Sequence, residues 1–260
     1  MTMIRFTIVT VTYNAEKTFE ATANSVLSQT YQHVEHIIVD GASTDGTLQK
    51  VESYRKQSNR HASHHEVIVI SEPDQGIYDA MNKGLRRASG DYIVFLNAGD
   101  AFPLSNTLEH ISQKINQEEE LPGVLYGDTD LVDDNGNFVA HRRLRPPARL
   151  SWRSFLRGML VCHQAFYARR DIAQSTPYDL YFRFSADVDW CIRIMKTARH
   201  QQLSMQNLHE VVANYLNEGQ TTLNHRASLK ERFEVMRRHY GLIPTIFMHG
   251  WFVVRRVFQH

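Results

Sequence analysis

The chain has 260 residues, of which 42% are hydrophobic, 22% charged and 10% aromatic. That composition builds a sizeable globular core, and it excludes collagen-like and broadly disordered chains. Two cysteines, Cys162 and Cys191, exclude a disulfide framework and a cysteine-based zinc module and point to a reducing compartment. No apolar run approaches the roughly 18 residues needed to span a bilayer, and the first residues make too short an apolar run for a signal peptide. The expected location is therefore cytoplasmic.

The net charge of +1 conceals an asymmetry. Residues 1–134 carry 10 basic and 20 acidic side chains, and residues 135–260 carry 19 and 8. Between Asn135 and Arg170 there are eight arginines and no acid. An acidic front half suits a metal site, and a basic back half suits phosphates on a nucleotide, a nucleic acid or a membrane lipid.

The apolar, β-branched run from Phe6 to Thr12 predicts a buried strand. Glu16 to Gln29 predicts a helix with Phe19, Ala23, Val26 and Leu27 on one face. His36 to Asp40 predicts a second strand, and Ser43 or Thr44 is placed to cap a helix from Thr47 to Gln57. After a polar loop from Ser58 to His65, Val67 to Ile70 predicts a third strand and Ile77 to Ala88 a helix. Asp91 to Leu96 predicts a fourth strand. This repeated strand–helix alternation is the signature of a mostly parallel sheet covered on both faces.

Beyond residue 100 the pattern changes. Leu104 to Glu118 predicts a helix, Gly123 to Tyr126 a strand, and Val132 to Asn137 a hairpin turn. Pro146 and Pro147 interrupt the chain. Helices are expected to start over Asp187 to Lys196 and to run from Leu229 to Tyr240 and from Thr245 to Phe258. There is no internal repeat.

In an open parallel sheet, ligands bind at the carboxyl ends of the strands. Asp40, Asp74 and Asp100 follow three separate strands, so all three are placed to meet in one crevice; helix capping and turn formation are the alternatives for each. Neither a GxGxxG nor a GxxxxGK[ST] loop is present. Any phosphate is then left to a carboxylate-bound divalent metal assisted by arginines.

Four stretches occur in order: Thr10-Val-Thr-Tyr-Asn14, Ile37-Ile-Val-Asp-Gly-Ala-Ser-Thr-Asp-Gly-Thr47, Ser71-Glu-Pro-Asp-Gln-Gly-Ile-Tyr-Asp-Ala-Met-Asn-Lys-Gly84 and Gly90-Asp-Tyr-Ile-Val-Phe-Leu-Asn-Ala-Gly-Asp100. Together they strongly resemble the family 2 glycosyltransferases of the type A nucleotide-diphospho-sugar fold. The third stretch resembles the bacterial surface-polysaccharide branch, including colanic acid and O-antigen enzymes. The likeness covers residues 6–100 and weakens beyond.

The resemblance implies an α/β fold with a single Rossmann-like domain over residues 1–220. Residues 1–100 would be its nucleotide half and 101–220 its acceptor half, with a helical appendage over 221–260. It implies nucleotide contacts for Thr12, Tyr13, Asp40 and Asp74. Tyr13 would pack on the base unless it belongs to the core, and Asp40 would accept a base N–H, since an ionised carboxylate only accepts. Lys83 would touch the diphosphate or remain a solvated helix residue. Asp100 would hold Mn²⁺ or Mg²⁺. The family's Asp-x-Asp metal motif is reduced here to Asn97-Ala98-Gly99-Asp100, with Asn97 a further contributor. Asp128 and Asp130 spell a literal Asp-x-Asp but fall among turn residues, and we take them for a decoy.

The resemblance places the general base of an inverting transfer at Asp187, in Ser185-Ala-Asp-Val-Asp-Trp190, with Ala186 where the family has an acid. Asp189 is the rival, and Trp190 would stack on a sugar or pack in the core. His163 and Gln164 would lie near the donor sugar or the acceptor. The implied partners are a nucleotide-diphospho-sugar donor of the UDP type and a polyprenyl-diphosphate-linked saccharide acceptor. Arg142, Arg143, Arg145, Arg149, Arg153 and Arg157 are candidates to face acceptor phosphates. Basic pairs Arg237-Arg238 and Arg255-Arg256 around the apolar run from Ile246 to Val254 suit a helix on an anionic membrane surface, with core closure or a homodimer as the alternative. Two alternative functions fit the sequence less well. A sugar nucleotidyltransferase would need a glycine-rich loop after the first strand, which is missing. A nucleic-acid-binding protein would need basic and aromatic residues interleaved, so no nucleic acid is expected.

Overall fold

The computed structural model describes residues 3–61, 65–115, 120–216 and 225–257, with the side chains of 225, 226 and 252–257 outside that description. The first half runs β1 (Phe6–Thr12), α1 (Phe19–Leu27), β2 (Val34–Asp40), α2 (Thr47–Ser58), β3 (Glu66–Ser71), α3 (Ile77–Arg87), β4 (Tyr92–Phe95) and α4 (Thr107–Ile115). The second half runs β5 (Val124–Val132), β6 (Phe138–His141), β7 (Phe166–Arg169), α5 (Arg170–Ser175), α6 (Ala186–His200), β8 (Met205–Leu216), α7 (His225–Tyr240) and α8 (Leu242–Val257). Short 3-10 turns at Trp152–Arg157 and His163–Ala165 precede β7.

All eight strands form one sheet in the order β3-β2-β1-β4-β7-β5-β6, with β8 also paired to β5. β1 lies parallel to β2 and β4, and β2 parallel to β3. Helices cover both faces of these strands, so β1 and β2 are buried along their whole length. This is why their sequences read as unbroken apolar and threonine runs and do not alternate. β7 runs antiparallel to β4 and β5, and β8 parallel to β5, which makes the sheet mixed. Gly84 lets α3 settle on β1: a Cβ there would stand 2.4 Å from Val9 Cγ1.

The structure departs from the sequence expectation mainly after residue 100. β5 extends to Val132, so Asp128 and Asp130 lie inside a strand and not after one. Asp133 to Asn137 form the expected hairpin turn between β5 and β6. Strands β7 and β8 and helix α5 were not anticipated. β7 has only four residues, and the pairing of β8 with β5 shifts register near Asp128, which breaks the alternation that would mark a strand. At the start of α2, the capping expectation is corrected. Asp45, not Ser43 or Thr44, accepts the Thr47 N–H at 3.0 Å, while Ser43 turns to Asp40. α8 starts at Leu242 with Pro244 in its first turn, where a missing N–H costs nothing; Phe258 lies outside the described residues. Among the described residues, no helix is long and apolar enough to cross a membrane.

A polar tie crosses the core. Thr10 donates to the Leu96 carbonyl at 2.8 Å, so its oxygen accepts from His36 Nε2 at 2.9 Å, and His36 Nδ1 accepts from the Tyr54 hydroxyl at 2.7 Å. That pattern defines a neutral His36 with the proton on Nε2. Burial, helped by His65, pushes its pKa from 6.5 down to about 3. The unfolded chain takes up this proton below pH 6.5 and the folded chain does not until about pH 3. Stability is then lost as the pH falls through that window, by about 1.4 kcal/mol per pH unit or about 3 kcal/mol at pH 4. Urea unfolding of His36→Gln, which bonds without titrating, should show a flatter acid limb than the parent chain between pH 6.5 and 4; an unchanged slope would refute the assignment to His36.

Candidate active site

The parallel register sets Thr12 opposite Asp40 at the carboxyl edge of the sheet. Asp40 is fully buried. Its Oδ1 accepts from the hydroxyls of Thr12 (3.1 Å) and Ser43, and its Oδ2 from the Ser43 amide (3.0 Å) and the Ser71 hydroxyl (3.0 Å). A carboxylate has about four lone-pair sites, so Asp40 is saturated. A ligand N–H therefore reaches Asp40 only as one of these hydroxyls turns away. As it stands, the carboxylate binds the ends of β1 and β3 and the loop after β2 into one edge.

Over that edge stand Tyr13 and Asp74. Tyr13 is 66% exposed, which excludes the core alternative. A Cβ on Gly41 would fall 2.3 Å from Asp74 Oδ2 and 3.4 Å from Tyr13 Cδ2, so the bare glycine keeps the space between them clear. Asn14 (φ 49°) and Ala42 (φ 60°) hold left-handed backbones on the two facing loops. Such strain gathers where a ligand must be met. Lys83 is engaged in the β3–α3 loop, donating to the Pro73 carbonyl at 2.6 Å beside Glu72 at 3.0 Å. It is a clasp for that loop in this state and not a free cation.

The second corner forms after β4. Asp100 is 4% exposed, and its Oδ2 accepts from Gln164 Nε2 at 2.8 Å and its Oδ1 from the Leu216 amide at 3.2 Å. Burial raises its pKa to about 6, against the lowering effect of Gln164 and His163. Asn97 Nδ2 lies 3.4 Å from His163 Nε2, and Asn97 Oδ1 is buried without a partner. His163 Nδ1 lies 3.6 Å from Asp187 Oδ2, and the Tyr78 hydroxyl donates to Asp187 Oδ1 at 3.2 Å. Burial pushes Asp187 up, but His163, Arg232 and the Val188 amide outweigh it and hold the carboxyl below its usual range. Cys162 donates to Gln164 Oε1 at 2.6 Å, which turns the amide nitrogen toward Asp100.

The donor set fits a hard divalent cation. Asp100 supplies one carboxylate, and the orphaned Asn97 oxygen is a second hard donor aimed at nothing in the protein. Among the described residues, no group of three or more His, Cys, Asp or Glu side chains could cage a metal. That is the pattern of a Mg²⁺-like ion held by one or two protein oxygens and completed by substrate phosphates.

The chain matches the family model described as glycosyl transferase family 2 over residues 7–175. It belongs to that family. A PGL/p-HBAD biosynthesis glycosyltransferase of Mycobacterium tuberculosis is 32% identical over 215 residues, covering 81% of this chain and 76% of the relative. Among solved structures, Staphylococcus aureus TarS 1–349 in complex with UDP-GlcNAc superposes with a TM-score of 0.70 at 21% identity, over 90% of this chain and 65% of that one. The chain thus spans just under two thirds of TarS 1–349. The mannosyltransferase PcManGT of Pyrobaculum calidifontis, in complex with GDP-Man and Mn²⁺, gives 0.65 at 17% identity over 96% of this chain and 71% of that one. These structures share the fold of this family 2 glycosyltransferase, a mixed sheet between helices.

Several sequence expectations are corrected by the side-chain environment. Trp190 is fully buried, stacked on Tyr178 at 4.8 Å between centroids with Phe95 and Phe166 at its edges, and its N–H donates to the Thr176 carbonyl at 2.8 Å. It is core and cannot reach a sugar. Asp189 is 1% exposed and occupied by Arg193 at 2.6 Å and His239 at 2.8 Å, which makes it a tie between α6 and α7. Asp130 pairs with His141 at 2.8 Å. Arg142 donates to the carbonyls of Leu144, Met159 and Leu160, so it braces the chain and does not face an acceptor. Two contributors were missed. Tyr78 sits in the quoted third stretch, but nothing marked its hydroxyl. Arg232 reaches Asp187 by its charge from a helix with no family signature.

In the family 2 glycosyltransferase, Trp190→Phe should lower the unfolding temperature with the KM for donor unchanged, because a core ring and its hydrogen bond are altered and no sugar contact is lost. A metal must displace the proton of a carboxyl whose pKa is about 6. Thermal stabilisation by Mn²⁺ with UDP should therefore rise from pH 5 to 7 and level off above. Asp100→Ala should abolish it while Asp128→Ala preserves it; the reverse result would move the metal to β5.

Proposed function

We propose that this family 2 glycosyltransferase is an inverting enzyme that moves a sugar from a nucleotide-diphospho-sugar, of the UDP type, onto a lipid-linked or saccharide acceptor in bacterial surface-polysaccharide synthesis. One observation carries the reading. The adjacent His163 and Gln164 contact Asp187 and Asp100 respectively, so the acid suited to a proton and the acid suited to a metal stand on two sides of one short turn. The TarS complex with UDP-GlcNAc and the PcManGT complex with GDP-Man and Mn²⁺ support the donor class and the ion class.

The parts act as follows. The nucleotide lies on the edge formed by Thr12, Tyr13 and Asp74, with Tyr13 under the base and Asp40 holding the loops. Asp100 and Asn97 would hold Mn²⁺ or Mg²⁺, which when bound offsets charge on the departing diphosphate. Asp187 is ionised at neutral pH and sits in the first turn of α6. It accepts the proton of the acceptor hydroxyl as that oxygen bonds to the sugar C1 and the C1–O bond to the diphosphate breaks on the opposite face. His163 and Tyr78 keep the Asp187 carboxylate directed.

For the acceptor, α8 presents Leu242, Ile243, Ile246, Phe247 and Trp251, all exposed. Ile243, Phe247 and Trp251 follow one another at helical spacing. This apolar stripe supports peripheral contact with the inner face of an anionic membrane, where a polyprenyl-diphosphate-linked acceptor would reside. Arg237 and Arg238 contribute less than their charge suggests, since they pair with Glu234 and Asp179, and the side chains of Arg255 and Arg256 lie outside the described residues. A homodimer through the same stripe would instead show in the mass of the particle in solution.

The test is release of nucleoside diphosphate from a panel of nucleotide-sugars with Mn²⁺ or with chelator. Asp187→Asn should reduce turnover by ~10²–10⁴-fold, as expected for loss of a general base, while leaving Mn²⁺-dependent nucleotide binding intact. Full turnover in Asp187→Asn would exclude it as the base.

A further inference from the structure

Among the described residues, the side chains that contact the Asp187 carboxylate do so at long range, His163 at 3.6 Å and Tyr78 at 3.2 Å, while the Val188 amide beside it belongs to the same helix. The direction of the carboxylate therefore depends also on where the backbone places it. That backbone is the first turn of α6, and residues 183–185 lead straight into it. Their three consecutive amides all donate to one carboxylate. Arg183 N reaches Glu231 Oε1 at 3.0 Å, and Phe184 N and Ser185 N reach Oε2 at 2.7 and 3.1 Å. The Ser185 hydroxyl donates to the Ser228 carbonyl at 3.3 Å, one turn earlier on α7.

Successive N–H groups converging on an anion form a backbone nest. Here the anion is a side chain of the same protein, delivered from a helix that lies beyond the segment matched by the family model. Charge-assisted hydrogen bonds are shorter and stronger than neutral ones, and three on one carboxylate fix both the position and the rotation of the segment. α7 also docks by other means. Arg238 pairs with Asp179 at 2.7 Å, His239 with Asp189 at 2.8 Å, and Val235 and Met236 are buried. Removing the Glu231 carboxylate therefore frees residues 183–185 without undocking the helix.

We propose that Glu231 is a positioning residue for sugar transfer, fixing the 183–185 backbone so that α6 presents Asp187 to the acceptor hydroxyl. The proposal rests on Asp187 as the base. It makes α7 part of the catalytic apparatus and not an appendage.

The experiment compares Glu231→Ala, Glu231→Gln and Asp187→Asn in the full chain, with donor, Mn²⁺ and acceptor varied separately and Mn²⁺-dependent UDP binding followed by thermal shift. Since a displacement of about 1 Å costs ~100-fold in rate, Glu231→Ala should lower kcat by about that factor. The KM for donor and the affinity for UDP should stay within about twofold, because no ground-state contact to donor is lost. Glu231→Gln keeps one accepting oxygen but turns an NH₂ toward the remaining amide, so a loss of about tenfold in kcat is expected. An unchanged kcat in either folded variant, with only a lower unfolding temperature, would overturn the proposal and leave Glu231 a structural clasp. Should Glu231→Ala not fold, Glu231→Gln decides alone by the same criterion. If Asp187→Asn retains full turnover, the base assignment fails, and the role of Glu231 fails with it. If Asp187→Asn is inactive and both Glu231 variants turn over normally, only the present proposal fails.

Discussion

The candidate site depends on one short turn. His163 and Gln164 are neighbours in sequence, both are buried, and they point to different carboxylates. Their turn packs among β4, β5, β7, β8 and α6. It thereby touches the strand that leads to Asp100 and the helix that begins beside Asp187. A buried polar side chain must find a partner or forfeit its hydration. Here each of the two partners is a carboxylate, Asp100 buried with the Leu216 amide as its other partner and Asp187 half-buried with the Tyr78 hydroxyl. The turn therefore gives a partner to two acids at once and fixes the distance between them. Cys162 adds to this by donating to Gln164 Oε1, which orients the amide.

The stretch from Ile77 to Gly84 has a structural purpose that complements the turn. Tyr78 stacks on Tyr178 at 5.4 Å and reaches Asp187 with its hydroxyl. Asn82 clasps Tyr178 through both backbone groups, donating to its carbonyl at 3.0 Å and accepting its amide at 2.8 Å. Tyr178 in turn stacks on Trp190, against which Phe95 stands edge-on. This aromatic column joins α3, the segment before α6 and β4. A helix of the first half thus holds the segment that carries Asp187, the residue proposed as the base. The chemistry of the two halves is registered by packing, with the polar contacts to Asp187 laid on top of it.

The first half was legible in the sequence because β1, β2 and β4 are buried along their whole length and apolar residues recur at helical spacing between them, so pattern and structure coincide. The positions of Asp40, Asp74 and Asp100 follow from the rule that parallel strands end on a common edge. What could not be read was saturation. Nothing in the sequence shows that Ser43 and Ser71 both turn to Asp40, since that depends on two loops meeting. Trp190 failed for a similar reason: an aromatic beside an acid in a helix is ambiguous until the neighbouring elements are known, and Tyr178, Phe95 and Phe166 come from three different ones. The second half was less legible because β7 is short and β8 is half-buried and irregular in register. Glu231 and Arg232 were invisible because they act across more than forty residues from a helix of unremarkable polarity.

The reduced metal motif can be understood on electrostatic grounds. Asp100 is buried, and its pKa of about 6 shows that ionisation is opposed by its surroundings. Relative to its ordinary value of 3.8, the penalty at neutral pH is about 3 kcal/mol. A second acid at Ala98 would add a like charge nearby and raise both pKa values further. The neutral Asn97 amide supplies an oxygen without that repulsion, and His163 beside it adds polarity shared with Asp187. A site with one carboxylate and one amide remains foldable without a cation, yet it keeps an ionised acid and an orphaned oxygen whose unfavourable burial a divalent ion relieves. On the proposed reading, the stability given up at Asp100 and Asn97 would be recovered when cation and diphosphate arrive together, which would tie metal affinity to the presence of donor and fit the lack of an all-protein cage among the described residues.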